Sequence, residues 1–129
     1  LQFTVPGVPC VYYGDEAGMQ GYKDPLNRLP FPWGEEDEEL EEWYRFLGRL
    51  RARAPFAGGE YKELYADRRA LVFERRKGSD AVVVAVNMGS NEYSLQFEGE
   101  IVELVSRRRL KGGAVIKPHS YGVYYTEEI

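Results

Sequence analysis

An α+β fold dominated by β structure follows from three features of the sequence. Six of the seven prolines fall in residues 1–57, a stretch that otherwise reads as one strand, one long loop and one helix. Past Gly58-Gly59 the apolar spacing changes from three-and-four to two, the period of half-buried strands. Gly78-Ser79-Asp80, Met88-Gly89-Ser90-Asn91 and Gly112-Gly113 then punctuate the chain as turns, separating about seven short strands in the manner of an antiparallel β-sandwich. Two domains are expected, residues 1–57 and residues 58–129.

The first strand is expected at residues 9–13. Val8, Cys10, Val11, Tyr12 and Tyr13 form an almost unbroken apolar run, which suits a strand buried on both faces of a parallel sheet. Gly14-Asp15-Glu16 ends it. A loop rich in Gly and Pro follows as far as Gly34; at roughly 18–20 residues it exceeds an ordinary connection, and such loops are usually functional or disordered. A helix is expected over residues 36–53, because Leu40, Trp43, Tyr44, Leu47 and Leu50 make one apolar stripe. The acids Glu35 to Glu39 crowd its start and Arg45, Arg49, Arg51 and Arg53 its end, matching the helix dipole. The acidic run reads as a solvated helix start rather than a metal site. Pro55 stops the helix.

In the second half, residues 62–66 and 70–75 pair across Asp67-Arg68-Arg69. Residues 81–86 hold three consecutive valines and read as a central strand. Tyr93, Leu95 and Phe97 alternate with polar neighbours, and Glu98-Gly99-Glu100 is expected as a tight turn into a strand at 101–105. Strands at 114–117 and 121–126 close the domain. Arg107-Arg108-Arg109 with Lys111 reads as a charged edge strand guarded against aggregation.

Composition excludes several classes. A net charge of −4 offers nothing global to nucleic acid or to an anionic membrane. No apolar run approaches the roughly 20 residues of a membrane-spanning helix. The single cysteine, Cys10, forbids an intrachain disulfide and reads as a small buried hydrophobe. The lone His119 sits in a turn-like Pro118-His119-Ser120 and is expected to face solvent. The ten tyrosines suit both sugar stacking and sandwich cores. The chain opens at Leu1 in a β-like run, with neither Met nor a signal pattern. We expect a missing N-terminus, which leaves export unreadable, with the cytoplasm slightly favoured.

The stretch Pro6-Gly7-Val8-Pro9-Cys10-Val11-Tyr12-Tyr13-Gly14-Asp15-Glu16-Ala17-Gly18-Met19 resembles the last barrel strand of α-amylase-family glycoside hydrolases. Lys23-Asp24-Pro25-Leu26-Asn27-Arg28-Leu29-Pro30-Phe31-Pro32-Trp33 resembles the loop that follows it in the neopullulanase and cyclomaltodextrinase branch. The resemblance implies the last strand, substrate loop and helix of a (β/α)8 barrel, followed by the antiparallel β-sandwich. It implies a parent that hydrolyses starch-like oligosaccharides or cyclodextrins with retention, using carboxylates that precede this segment. This chain alone is therefore expected to be inactive, with no catalytic residue, metal ligand or cofactor of its own. Bound Ca²⁺ in the parent is left open. The partners implied are an α-glucan and either the rest of the barrel or another copy of the chain.

The resemblance also assigns roles. Asp24 and Arg28 would contact sugar hydroxyls, since a carboxylate accepts and a guanidinium donates several hydrogen bonds; they would equally form an ion pair shaping the loop, and both can hold together. The family often has a second Arg where this chain has Leu29. Asp15 and Glu16 would support the rim of the site, because adjacent strand residues point to opposite faces and do not converge on one atom. Trp33, following Pro30-Phe31-Pro32, is expected to anchor the loop, with stacking on a sugar as the alternative, and Tyr22 near its tip is a stacking candidate. The rival reading is a non-catalytic module whose sandwich binds glucan or stabilises a barrel.

Overall fold

The computed structural model describes residues 1–127; the last two positions of the expected 58–129 domain lie outside them. The chain divides into two compact units, Leu1–Ala52 and Arg53–Ile129.

In the first unit, helix α1 spans Glu38–Arg51. It starts where Asp37 caps it, the side chain accepting from the Leu40 backbone N–H at 3.0 Å. Acidic Glu38, Glu39 and Glu41 occupy its first turn and Arg49 and Arg51 its last, as the dipole favours. Phe3 meets Tyr44 edge-on at 5.9 Å, and Trp43 stacks on Phe46 at 5.2 Å. At its far end the Arg51 guanidinium donates to the carbonyls of Phe3, Val5 and Gly7, fastening the N-terminal segment to the helix. A single 3-10 turn, Asp15–Ala17, packs beside α1, and the Ala17 carbonyl accepts from the Asp37 N–H at 3.1 Å.

One expectation fails here. Residues 9–13 form no strand. Val8, Val11, Tyr12 and Tyr13 are exposed, Val8 at 94%. A strand buried on both faces needs neighbours to satisfy its backbone groups. Among the described residues none pairs with it. Cys10 is likewise exposed rather than buried.

The second unit is a six-stranded antiparallel sheet made of β1 (Glu60–Ala66), β2 (Ala70–Lys77), β3 (Asp80–Asn87), β4 (Tyr93–Glu103), β5 (Arg109–Ile116) and β6 (Ser120–Glu127). Their order is β1-β2-β3-β6-β4-β5. β6 pairs with β3 from Ser120 to Glu127, but with β4 only at Ile101, Val102 and Glu103. That short hinge lets β4 and β5 fold over β2, β3 and β6 as a sandwich. Val72, Val83, Ala85 and Tyr124 then meet Leu95, Ile101, Ala114 and Ile116 in one core. Alternation sends Phe73, Val82, Val84 and Val123 to the opposite face, where they are also buried.

The expected strands at 93–97 and 101–105 are one strand, β4. The tight turn anticipated at Glu98-Gly99-Glu100 is a bulge: Gln96 pairs with Gly113 and Glu100 with Lys111, so three residues of β4 face one of β5. Gly99 takes φ 83°, which serves a bulge as well as a turn. Arg109 and Lys111 lie on β5, at one edge of the sheet and exposed, and His119 is exposed at a turn.

Asn87 joins the sandwich halves at the end of β3. It is 3% exposed. Its side-chain amide donates to the carbonyls of Asn91, Ile116 and Lys117 at 2.8, 3.1 and 3.0 Å, and its Oδ1 accepts from the Gly89 N–H at 2.9 Å. Leaving these groups without partners is costly, so Asn87→Ala should lower unfolding free energy by about 3 kcal/mol in urea titration. Burial, with Glu103 adding repulsion, pushes the Tyr124 phenol up to about 12. An unfolded tyrosine ionises near ~10, so this contribution to stability is intact below that pH and is lost as pH rises towards the folded value. Melting temperature should fall across that window, and Tyr124→Phe should blunt the fall.

Candidate functional site

The candidate site is the loop of the first unit. Gly14, at φ 91°, turns the chain into the 3-10 turn, and Gly18, at φ 75°, turns it out again. The Met19 N–H returns to the Gly14 carbonyl at 2.9 Å. The rings of Tyr12 and Tyr13 lie 5.0 Å apart. Their hydroxyls reach across the loop, Tyr12 donating to the Asn27 carbonyl at 3.2 Å and Tyr13 to the Leu29 carbonyl at 2.8 Å. Two phenols therefore hold the far limb against the near one.

Between the limbs lies an open cleft of 360 Å³, lined among others by Tyr12, Tyr13, Asp15, Gln20, Tyr22 and Asn27. Aromatic faces beside carboxylate and amide groups suit a hydroxyl-rich, half-apolar ligand such as a sugar ring. Asp15 and Tyr22 thus come together in the cleft. Glu16 turns away: its carboxylate accepts from the Gly14 N–H at 2.9 Å and braces the turn. Asp15 and Glu16 occupy a helical turn rather than a strand end, so the pleat argument for their divergence does not apply, although they do diverge.

Asp24 and Arg28 are not in the cleft lining. They sit on consecutive turns closed by Leu26 N–H to Lys23 and Arg28 N–H to Pro25, at 3.0 and 3.1 Å, with a cis Asp24–Pro25 bond. Arg28 Nε lies 2.9 Å from the Asp24 carboxylate, and both side chains are more than half exposed. A pair this exposed is worth roughly 0–1 kcal/mol. Its effect is to orient two polar groups towards solvent rather than to hold the fold. Trp33 does not anchor the loop by burial: it is 83% exposed, its ring 4.6 Å from that of Phe31. Tyr22 is 80% exposed.

Sequence reasoning missed Tyr12 and Tyr13 as loop clamps, because both counted as strand core. The signal was their position: phenols with a polar tip, immediately before a Gly-Asp turn. Among the described residues no cluster of three or more His, Cys, Asp or Glu side chains could hold a metal ion, and no helix is long and apolar enough to cross a membrane.

Solved structures with this arrangement include α-amylases. The Anoxybacillus α-amylase superposes with a TM-score of 0.85 at 26% identity, over 99% of this chain and 31% of that one. The Geobacillus thermoleovorans α-amylase, solved with acarbose, gives 0.81 at 26% identity over 98% and 31%. Relatives by sequence include the Thermoanaerobacter pseudethanolicus cyclomaltodextrinase, 30% identical over 93% of this chain and 22% of that protein. The Thermoanaerobacter thermohydrosulfuricus amylopullulanase is 43% identical over 59% of this chain and 5% of its own length. No family model matches. The chain belongs to the α-amylase family, and its counterpart in those proteins is a C-terminal region. Its relatives within the family include amylopullulanases, cyclomaltodextrinases and a neopullulanase, and it spans only 5–9% of the length of three amylopullulanases and 13–22% of the cyclomaltodextrinases and neopullulanase.

The clamp is testable. Tyr13→Phe removes one hydrogen bond worth about 1 kcal/mol; amide exchange at residues 26–29 should quicken several-fold while that of the sheet is unaltered.

Proposed function

We propose that this chain supplies one wall of the substrate cleft, and the trailing sandwich, of a retaining α-glucan hydrolase. The observation that carries the reading is the phenol-clamped loop, which presents the Asp24–Arg28 pair and a tyrosine-lined cleft within a chain related to starch- and cyclodextrin-degrading enzymes. Residues 1–57 would be the last strand, loop and helix of the barrel, and residues 58–129 its following domain. Val8 exposes apolar surface that the rest of a barrel would cover.

In such an enzyme two carboxyl groups about 5–5.5 Å apart perform the displacement. The reading places both outside this chain. Here Glu16 is committed to the Gly14 N–H, and Asp15, Tyr22 and Trp33 would support the rim. Asp24 would accept from, and Arg28 donate to, hydroxyls of a sugar on the non-reducing side of the cleavage point. Held together at 2.9 Å, they are already oriented before a ligand arrives.

Two measurements test this. The purified chain should release no reducing ends from maltotriose or a cyclomaltodextrin; turnover comparable to that of a typical family enzyme would overturn the division of labour. Grafted in place of the matching region of the Thermoanaerobacter pseudethanolicus cyclomaltodextrinase, the chain should sustain cleavage, and Asp24→Ala or Arg28→Ala should lower kcat/KM about 10- to 100-fold, the loss of one or two charge-assisted hydrogen bonds. A folded graft whose cleavage is indifferent to both substitutions would refute their assignment.

A further inference from the structure

A groove of 520 Å³ opens in the sheet unit, and no role has yet been given to it. One side is the inner face of the sheet, with Glu74 and Arg76 of β2 and Thr126 of β6; the other is the bulged stretch of β4, with Gln96, Phe97 and Glu98. The bulge creates the groove. Between Gln96 and Glu100 the strand carries extra residues that its partner cannot match, so it arches away, as bulges do beside binding sites.

The walls are fixed. Arg76 grips Glu74 with two bonds, Nε to Oε1 at 3.1 Å and Nη2 to Oε2 at 3.0 Å. The two side chains are 34% and 18% exposed, so the pair is held in one geometry while it still reaches the groove. The Phe97 ring lies 5.4 Å from the Tyr124 ring and is thereby braced against the core while it lines the opening.

The chemistry narrows the ligand. Glu74, Glu98 and Glu100 outnumber the one guanidinium in the lining, which disfavours anions such as phosphate. Among the described residues no acidic cluster suits a metal ion. A neutral polyol remains. A carboxylate and a guanidinium side by side accept from and donate to neighbouring hydroxyls, and an aromatic ring receives the C–H face of a sugar. The volume falls in the range of about 300–1,000 Å³ usual for ligand clefts.

We propose that this groove binds a segment of α-glucan chain. The choice of glucan rests on the reading of the chain as part of an α-glucan hydrolase, which makes that polymer the sugar at hand.

The test is to titrate the whole isotope-labelled chain with maltoheptaose, following amide shifts and heat, with cellohexaose as comparison. Saturable shifts should centre on residues 74–76 and 96–100. Phe97→Ala should weaken binding at least tenfold. Because Phe97 also touches the core, the exposed Gln96→Ala gives a second reading, expected at about threefold. Val115→Ser, an exposed position outside the groove, should bind as the wild type does. Shifts confined to residues 12–27, equal binding by the groove variants, or equal affinity for cellohexaose would overturn the proposal. The two readings fail separately. Cleavage by the graft with a silent groove defeats the groove alone, whereas groove binding beside an inactive graft upholds it and defeats the hydrolase.

Discussion

The sheet unit depends on one carboxamide. Asn87 ends β3 and is buried where β3, the start of β4 and the end of β5 converge. Its two N–H groups serve three carbonyls, and its oxygen takes the Gly89 N–H that shapes the turn out of β3. The bond to the Ile116 carbonyl is buried, whereas the Lys117 carbonyl also accepts from the Ser120 hydroxyl at 2.7 Å, so it is the buried amide itself that would be costly to leave without partners. No apolar residue could replace Asn87 there, and an acid would bring acceptors where donors are needed. That joint ties the stacked halves together at one end, as the short pairing of β4 with β6 does at Ile101, Val102 and Glu103.

The first unit rests on a different economy. It has one helix and little core, and polar ties do much of the work: Asp37 at the start of α1, Arg51 at its end, and the two phenols across the loop. Each is a local bond worth about 1 kcal/mol, or somewhat more where charged. Such a unit is shaped in its turns while its apolar outer residues stay bare, as Val8 and Trp33 do. The contrast with the sheet unit, where Phe73, Ala81 and Val82 have no exposed surface, is one of burial.

Local rules were legible in the sequence. The helix came within two residues at each end because its stripe, acidic start, basic end and Pro55 all agree. The strands of the second half were readable from period-two patterning, and Asp67 closes its turn as the composition implied, accepting from the Arg69 and Ala70 N–H groups at 2.7 and 2.6 Å. Those backbone donors, Arg69 first, hold its carboxyl below the usual range. What failed depended on absent neighbours or on ambiguous signals. The run at residues 9–13 has the composition of a buried strand, but burial is a property of what lies alongside. Gly99 serves a turn and a bulge equally, so two strands were counted where β4 is one. Trp33 offered no periodicity to say which way its ring faces. In the candidate site, Asp24 and Arg28 were nominated by motif resemblance, whereas the tyrosine clamp required the folded loop.

The sheet has two free margins, β1 and β5. β5 carries Arg109 and Lys111, and β1 mixes charged Glu60, Lys62 and Glu63 with bulky Tyr61, Leu64 and Tyr65. Two molecules meeting margin to margin through β5 bring cation against cation, a standing deterrent to the continuous ladder from which fibres grow. That deterrent is electrostatic and so has a range: about 10 Å at 0.1 M salt, shrinking to about 3 Å at 1 M. Concentrated brine would therefore strip this molecule of its protection against stacking into ribbons well before it disturbed the dry interior of the sandwich.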